Sequence, residues 1–287
     1  MYIFIVLSSA SLGASGQTRA LGLAQASLSV YQGVMCTVII LRRPGDDWPI
    51  VIGANRDEMK GRPWLAPARH WPERRHVTAG LDEEAGGTWL ALGDDGIVAA
   101  ILNRYGSLGP APGKRSRGEL PLEAVDYAEA RVAASALAHL EPTSYRSFNL
   151  VIADAKDAFW LKSDGTCIEK SEIPEGVSMI TAHDLNDTAS AGRIRYHLPR
   201  FRAAPPPDPK TDDWMSWEAL LASTDGEEGA NHGGALNIET EYGFATVSSS
   251  LLALPAVGRF GVKPVWKFHA GRPNGNPYLP VHIKQAA

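Results

Sequence analysis

The chain has 287 residues and a formal net charge of −4, which 28 basic and 32 acidic side chains produce. This balance excludes the strongly basic surface that nucleic-acid-binding proteins usually present. The longest apolar stretch, residues 2–7, is far too short to cross a lipid bilayer. Composition and length are typical of a soluble globular protein with one large domain or two small ones.

The first 34 residues differ from the rest, because they hold a single charge, Arg19, and many small residues. We expect Met35 to be the true initiator, so that residues 1–35 form a non-native or removable extension. The alternative is a secretory signal, although the basic start of such signals is missing. Residues 36–287 are expected to form one domain. Its location is cytoplasmic if translation starts at Met35, and it is exported if residues 1–34 act as a signal.

Regular structure begins directly after Met35. Residues 36–43 are β-branched and apolar and predict a strand, residues 44–49 supply a turn, and residues 50–55 predict the returning strand. The outer ends of an antiparallel hairpin lie together. The pattern therefore predicts that Cys36 lies close to the polar run that begins at Asn55.

The remaining elements occur in groups rather than in alternation. A second hairpin around Gly93–Gly96 ends at Asn103. Helices are predicted over 119–140, 189–201 and 213–222, and further strands over 147–154, 158–163, 177–183, 242–254 and 260–271. This grouping predicts an α+β fold with antiparallel sheets instead of repeated βαβ units.

Cys36 is the first candidate for chemistry. If Met35 is removed after initiation, Cys36 carries a free α-amine with a pKa of about 7.7–8.0, which accepts the thiol proton near neutral pH. Nucleophile and base then belong to one residue. The alternative is a small buried apolar residue at the start of a strand, which is common for cysteine.

The run Asn55-Arg56-Asp57-Glu58 supplies the next candidates. Arg56 could hold a thiolate or lower the pKa of the thiol. Asp57 could orient the α-ammonium group or the arginine, and Glu58 could pair with Arg62. The alternative is a charged surface turn held by arginine–carboxylate pairs.

Two further side chains stand at predicted strand ends. The amide of Asn103 could donate to an oxyanion, and His183, followed by Asp184, could act as a general base. Each has a structural alternative, a turn residue for Asn103 and an Asx turn at Asp184 for the histidine. Solvated loop residues, or else an anion contact, are predicted at Lys114, Arg115 and Arg117.

Several segments, taken in order, resemble the NRDE family, whose eukaryotic member is called transport and Golgi organisation protein two. The matching segments are Met35-Cys36, "ANRDEMKGRP" at 54–63, "GLDEEAGGTWLAL" at 80–92, "AAILNRYG" at 99–106, "RGEL" at 117–120, "ITAHDLND" at 180–187 and "YGFATVSSSLLALP" at 242–255. The asparagine-arginine-aspartate-glutamate run together with Gly-Gly-Thr-Trp-Leu is a specific combination.

This family is similar to N-terminal-nucleophile hydrolases, especially the group that cleaves penicillin V and conjugated bile salts. The resemblance implies a four-layer αββα sandwich that begins at a cysteine. It implies Cys36 as the nucleophile, Arg56 and Asp57 as its partners and Asn103 as an oxyanion donor. The residues expected to contact substrate are Asn55, Glu58, Trp89 and His183.

The chain departs from the family pattern at two positions. His183 stands where an asparagine is expected, and Val247 stands where the family often has an arginine before a Ser-Ser pair. The missing second arginine weakens the case for complete hydrolase machinery and is compatible with a different ligand.

Two functions from different classes follow. The first is an amidohydrolase that uses Cys36 on a small amide or acyl compound and requires no cofactor. The second is a non-catalytic binding or trafficking protein for haem or a lipid, with Cys36 or His183 as an iron ligand. Eukaryotic relatives are linked with secretion, lipid metabolism and haem handling. The sequence predicts no transmembrane segment and gives no oligomeric state.

Overall fold

A computed structural model describes residues 36–228 and 234–283 of the chain. Cys36 is the first residue described. The predicted removable extension, residues 1–35, lies outside the described residues, so the proposed boundary at Met35 stays a prediction.

Thirteen strands are present in the described part of the chain. They are β1 Thr37–Arg42, β2 Ile50–Met59, β3 Trp64–Ala68, β4 Val77–Asp82, β5 Leu90–Gly93, β6 Val98–Asn103, β7 Phe148–Ala153, β8 Ala158–Ser163, β9 Ile168–Glu172, β10 Gly176–Ile180, β11 Phe244–Leu254, β12 Val265–Ala270 and β13 Leu279–Pro280. The α-helices in the same part are α1 Leu120–Ala124, α2 Ala130–Leu137, α3 Gly192–Ala203 and α4 Met215–Leu221.

The strands form two sheets in which every pairing is antiparallel. The first sheet has the order β10-β1-β2-β11-β12-β13, and the second has the order β3-β4-β5-β6-β7-β8-β9. Strands β1 and β2 form the predicted first hairpin, and β5 and β6 form the second. Long β11 crosses from the C-terminal third of the chain to pair with β2 over its whole length.

The two sheets pack face to face over a shared apolar core. Alternate residues of both sheets fill it, for example Ile50 and Ile52 from the first sheet and Val98 and Leu102 from the second. Each such aliphatic side chain contributes about 1.5–3 kcal/mol when it is fully removed from water. This core fixes which residues of every strand face the space between the sheets.

Helices cover the two outer faces. Helices α1 and α2 pack on the second sheet, and α3 and α4 pack on the first. Gly53 on β2 allows the close approach of α4, because a Cβ atom there would lie 3.1 Å from the Trp217 ring. The result is a four-layer αββα sandwich, which confirms the predicted α+β class and layer order.

The single helix predicted over 119–140 is wrong, since this segment forms the two short helices α1 and α2. The carboxylate of Asp154 accepts the backbone N–H of Ala130 at 2.7 Å and so caps the start of α2 from a distant turn. Strands β3, β4, β9 and β13 were not predicted, and β3, β9 and β13 are edge strands. Pro67 interrupts β3, and β9 is mostly exposed and polar, as edge strands often are.

His197 lies in the middle of α3 with no solvent exposure, and its ring Nε2 bonds the carbonyl oxygen of Gly234 at 3.0 Å. Burial lowers the pKa of His197 from 6.5 to about 4. Between these two pH values the unfolded chain binds a proton at this residue and the native chain does not. Protonation therefore favours unfolding, and stability falls as the pH falls through this window.

We predict that the His197→Phe variant loses this pH dependence. Wild type should lose roughly 3 kcal/mol more of its unfolding free energy than the variant between pH 6.5 and pH 4. Urea unfolding at several pH values measures the unfolding free energy of both proteins. Subtracting one curve from the other cancels the contributions of all other titrating groups. Parallel stability curves for the two proteins would contradict the prediction.

Candidate functional site

The pairing of β1 with β2 places Cys36 beside the polar run of β2. Thr37 is opposite Asn55, which sets Cys36 at the level of Arg56. The backbone N–H of Asp57 donates to Sγ of Cys36 at 3.4 Å, and the thiol lies 3.6 Å from the carbonyl oxygen of Asp57. The hairpin thus produces the proximity that the sequence predicted.

Strand alternation divides the polar run between two faces of the sheet. Arg56 follows Ala54 on the face that meets the second sheet. Asn55 faces the helices instead, where its amide donates to the carbonyl oxygens of Leu221 and Leu236, both at 2.9 Å. The Asn55 side chain is thus buried on the face opposite Arg56, and a substrate contact of Asn55 stays a prediction.

Arg56 is buried between the sheets within a group of charges. Its Nη2 lies 3.1 Å from Asp82 and 3.9 Å from Glu58, and its guanidinium carbon lies 4.3 Å from the centre of the Trp89 ring. Burial lowers the pKa of Arg56, and the charges of Glu58, Cys36 and Asp82 oppose that shift. Its Nη1 is buried and has no hydrogen-bond partner among the described residues.

Asp57 points to the helical side and pairs with a residue far away in sequence. Arg193 of α3 donates from Nη1 to Asp57 at 3.1 Å and to the hydroxyl of Thr37 at 3.0 Å. The hydroxyl of Thr246 donates to the other carboxylate oxygen at 2.7 Å. The prediction that Asp57 orients Arg56 is wrong, since neighbouring residues of a strand face opposite sides. A role of Asp57 toward the α-ammonium group of Cys36 stays a prediction.

Both Cys36 and Asp57 have raised pKa values in the described chain, in which residue 35 is still attached. Burial raises the pKa of the Cys36 thiol to about 12, and the charge of Asp57 adds to the rise. Burial also raises the pKa of Asp57 to about 6, against the opposing effect of Arg193 and Thr246. The thiol is therefore protonated at neutral pH in this form and needs a base to become a nucleophile.

A small cavity of about 20 Å³ lies between the sheets beside Cys36. This volume suits a single water molecule. The polar side chains on its wall include those of Cys36, Arg56, Ser248 and Ser250, with Trp89 as the aromatic neighbour. The hydroxyl of Ser250 accepts the indole N–H of Trp266 at 3.2 Å.

Two glycines, Gly80 and Gly87, position Trp89. A Cβ atom on Gly87 would lie 2.5 Å from the carbonyl carbon of Gly118, and the N–H of Thr88 donates to the Gly118 oxygen at 2.8 Å. A Cβ atom on Gly80 would lie 2.3 Å from the Trp89 ring. Only glycine permits these approaches, which seat the indole over the Arg56 guanidinium.

Arg117 does not belong to a solvated loop, so that part of the sequence interpretation is wrong. Its Nη1 donates to the carbonyl oxygens of Ser107 and Ser147 at 2.8 and 2.9 Å. Burial lowers the pKa of Arg117 to about 10, and the charge of Arg146 acts in the same direction. The arginine of the "RGEL" segment thus holds the loop that follows β6.

Asn103 ends β6 in the second sheet, His183 follows β10 of the first sheet, and no hydrogen bond joins either side chain to Cys36 among the described residues. Leu102 packs in the core between the sheets, so alternation places Asn103 on the opposite face of β6. The half-buried His183 ring lies 5.8 Å from that of Tyr105. Asp184 bonds Arg104 at 2.5 Å. The predicted His183–Asp184 pair is therefore not formed, and the oxyanion role of Asn103 lacks geometric support.

Val247, which stands at the position of the missing arginine, is the extra residue of a β-bulge. Thr246 pairs with Asp57 and Ser248 pairs with Arg56, so Val247 has no partner on β2. A bulge re-aims the side chains around it. Here it turns Thr246 toward the helices and Ser248 toward the space between the sheets.

Arg193, Thr246, Ser248 and Asp82 were not among the candidates from the sequence. A signal for Arg193 was present, because it lies four residues before buried His197 and eight before buried Phe201. This spacing puts a charged residue on the buried face of a helix. A buried charge of that kind requires a partner.

In residues 36–228 and 234–283 no group of three His, Cys, Asp or Glu side chains could hold a metal ion. Within the same ranges, no helix is both long enough and apolar enough to span a membrane.

Comparison with known sequences identifies the family. The profile of the family described as Transport and Golgi organisation 2 matches residues 35–203, more than half of the chain. The chain belongs to this family. The match begins at Met35, and it agrees with the NRDE resemblance.

Curated relatives match over a shorter range. The Transport and Golgi organization protein 2 homolog of Bos taurus is 36% identical over 114 residues, which are 37% of this chain and 38% of that protein. The homolog of Mus musculus is 32% identical over 128 residues, 41% of this chain and 42% of that protein. The matched region thus spans about two fifths of these relatives.

Among solved structures, the Caenorhabditis elegans N-acylethanolamine-hydrolyzing acid amidase ortholog superposes with a TM-score of 0.54 at 13% identity. The match covers 78% of this chain and 94% of that chain. It shows that this chain shares the overall fold of that amidase ortholog, in agreement with the predicted fold class.

The buried Asp57–Arg193 pair generates a stability prediction. Arg193→Met should lower the unfolding free energy by about 3–5 kcal/mol, because it leaves the Asp57 carboxylate buried without its cation. The double variant Asp57→Asn, Arg193→Met should recover much of that loss. Urea unfolding of wild type, both single variants and the double variant measures the coupling.

Arg195→Met provides the matched control on the same helix. Arg195 pairs with Glu227 at 2.5 Å on the surface, where both side chains are more than a third exposed. That variant should lose at most about 1 kcal/mol. If the double variant lost as much unfolding free energy as the two single variants together, the interaction between Asp57 and Arg193 would be contradicted.

Proposed function

We propose that this chain is a cysteine amidohydrolase of the N-terminal-nucleophile type, acting on a small amide or acyl substrate. The observation that carries the proposal is the position of the Cys36 thiol. It lies directly before β1, accepts the Asp57 N–H at 3.4 Å, and lines a cavity shared with Arg56. The proposed active form begins at Cys36, after removal of residues 1–35.

Removal of the upstream residues would supply the missing base. Burial raises the pKa of the thiol to about 12 while residue 35 is attached. A free α-amine on the same residue has an ordinary pKa of about 7.7–8.0 and accepts the thiol proton. The resulting ammonium group, together with Arg56, would stabilise the thiolate.

The reaction would then proceed by acyl transfer. The thiolate attacks the substrate carbonyl carbon, the C–N bond breaks, and the amine leaves with the proton held by the α-ammonium group. Water activated by the α-amine hydrolyses the thioester and releases the acid. No cofactor takes part in this proposal.

The fold neighbour supports the reaction class. Its name describes hydrolysis of N-acylethanolamines, which breaks an amide C–N bond. Since the two chains share only 13% identity, we infer the bond type for this chain and not the acyl group. The family match covers Cys36 and β2, although the relatives' names refer to transport and Golgi organisation rather than to hydrolysis.

The haem- or lipid-binding alternative has less support from the geometry. Cys36 and His183, the two candidate iron ligands, do not line one cavity, since His183 is absent from the wall of the cavity at Cys36 and its ring lies 5.8 Å from that of Tyr105. For the compartment we infer that translation from Met35 leaves the protein in the cytoplasm, whereas use of residues 1–34 as a signal would export it.

A panel of N-acyl aminomethylcoumarins with different acyl chains tests the proposal. The form that begins at Cys36 should release the coumarin from at least one member, and the full chain should not, because its residue 36 lacks an α-amine. Cys36→Ala should abolish release, and Cys167→Ser, a change at an exposed free thiol, should leave it unchanged. Equal release by the full chain and the shortened form would contradict the role of the α-amine.

A further inference from the structure

The hydroxyl of Ser248 is a polar group in the cavity that no role described so far uses. Ser248 is 1% exposed and lines the cavity beside Cys36. Of the three consecutive serines on β11, Ser249 bonds the Tyr278 hydroxyl at 2.8 Å, and Ser250 accepts from Trp266 at 3.2 Å. The hydroxyl of Ser248 has no hydrogen-bond partner among the described residues.

A second donor on the same wall also lacks a partner. Arg56 is 5% exposed, and its Nη2 is engaged by Asp82, while its buried Nη1 bonds nothing within the described ranges. A buried donor without an acceptor is destabilising, because it has lost its hydrogen bond to water and gained none in return. Arg56, which has an unpaired N–H, and Ser248, which has a hydroxyl, thus line the same cavity, and both can donate to an acceptor atom there.

The bulge at Val247 creates this juxtaposition. If β11 alternated regularly, Thr246 and Ser248 would lie on the same face of the sheet, because they are two positions apart. Because of the bulge, Ser248 lies directly across from Arg56 and faces the second sheet, while the Thr246 hydroxyl donates to Asp57 on the other face. The bulge therefore directs the Ser248 hydroxyl toward the cavity beside Cys36.

The size of the cavity limits the acceptor to about one oxygen atom, since about 20 Å³ holds a single water. We propose that Ser248 Oγ and Arg56 Nη1 bind the carbonyl oxygen of the acyl substrate and stabilise the oxyanion that forms on it. This inference rests on the proposed function. It assigns to these two side chains the role that the sequence suggested for Asn103.

The step can be written for an activated ester. The Cys36 thiolate forms a bond to the carbonyl carbon, and the π-electron pair moves to the oxygen, which Ser248 and Arg56 then hold. When the carbonyl re-forms, the bond to the leaving group breaks, and p-nitrophenolate departs from p-nitrophenyl acetate. Alkylation of the same thiolate by iodoacetamide displaces iodide and generates no oxyanion.

Comparison of these two reagents isolates the proposed role. Rates of Cys36 acylation by p-nitrophenyl acetate and alkylation by iodoacetamide are measured at one pH on the full chain and on the form that begins at Cys36. The alkylation rate corrects for the ionised fraction of the thiol. Ser248→Ala should slow acylation about a hundredfold and leave alkylation within about twofold.

Ser249→Ala is the matched control, because it removes a buried hydroxyl from the next residue on the opposite face. It should change neither rate, and circular dichroism confirms that both variants are folded. Unchanged acylation in Ser248→Ala, or an equal loss of acylation and alkylation, would overturn the inference. Wild-type acylation no faster than that of Cys36→Ala would instead refute the proposed function, and the inference with it.

Discussion

The backbone pairing of β1 with β2 is the interaction on which the site depends. It fixes Cys36 against the N–H of Asp57 and sets two consecutive charged residues on opposite faces of one sheet. Each of them then requires a separate partner. Arg56 meets Asp82 and Trp89 between the sheets, and Asp57 meets Arg193 from the helical layer. The bulge in β11 provides one side chain to each face. A site of this kind needs three of the four layers, because its groups come from both sheets and from α3.

The Cys36 thiol needs a base as well as its position before it can act as a nucleophile, for electrostatic reasons. Burial beside a carboxylate keeps the thiol protonated, and the nearby Arg56 only partly opposes this effect. The described histidines do not contact the thiol. The α-amine of Cys36 itself would accept the thiol proton, so that no other side chain would be needed as the base. Catalysis would therefore depend on whether the active chain begins at Cys36. The small cavity and the unpaired N–H on its wall fit the binding of a single oxygen atom.

Local patterns in the sequence predicted the hairpin, the proximity of Cys36 to Arg56 and Asp57, and the layered α+β fold. These local patterns gave wrong or incomplete predictions where a residue far away in the sequence determines the structure. Asp154 ends one predicted helix by capping Ala130, and Arg193 reaches Asp57 across 136 positions. Asn103 was assigned by its place at a strand end, but strand alternation puts it on the wrong face. The bulge at Val247 depends on pairing with β2, so a period of two along the strand could not reveal it.

The N-terminal sequence and intact mass of the protein made from its native locus decide whether Cys36 can supply its own base. We expect a chain that begins at Cys36 with an unmodified α-amine, since only that form carries the base. A mature protein that begins at Met1, or at any other residue upstream of Cys36, would hold this nitrogen in a peptide bond. That result would contradict catalysis by an N-terminal cysteine and would leave ligand binding as the function to examine.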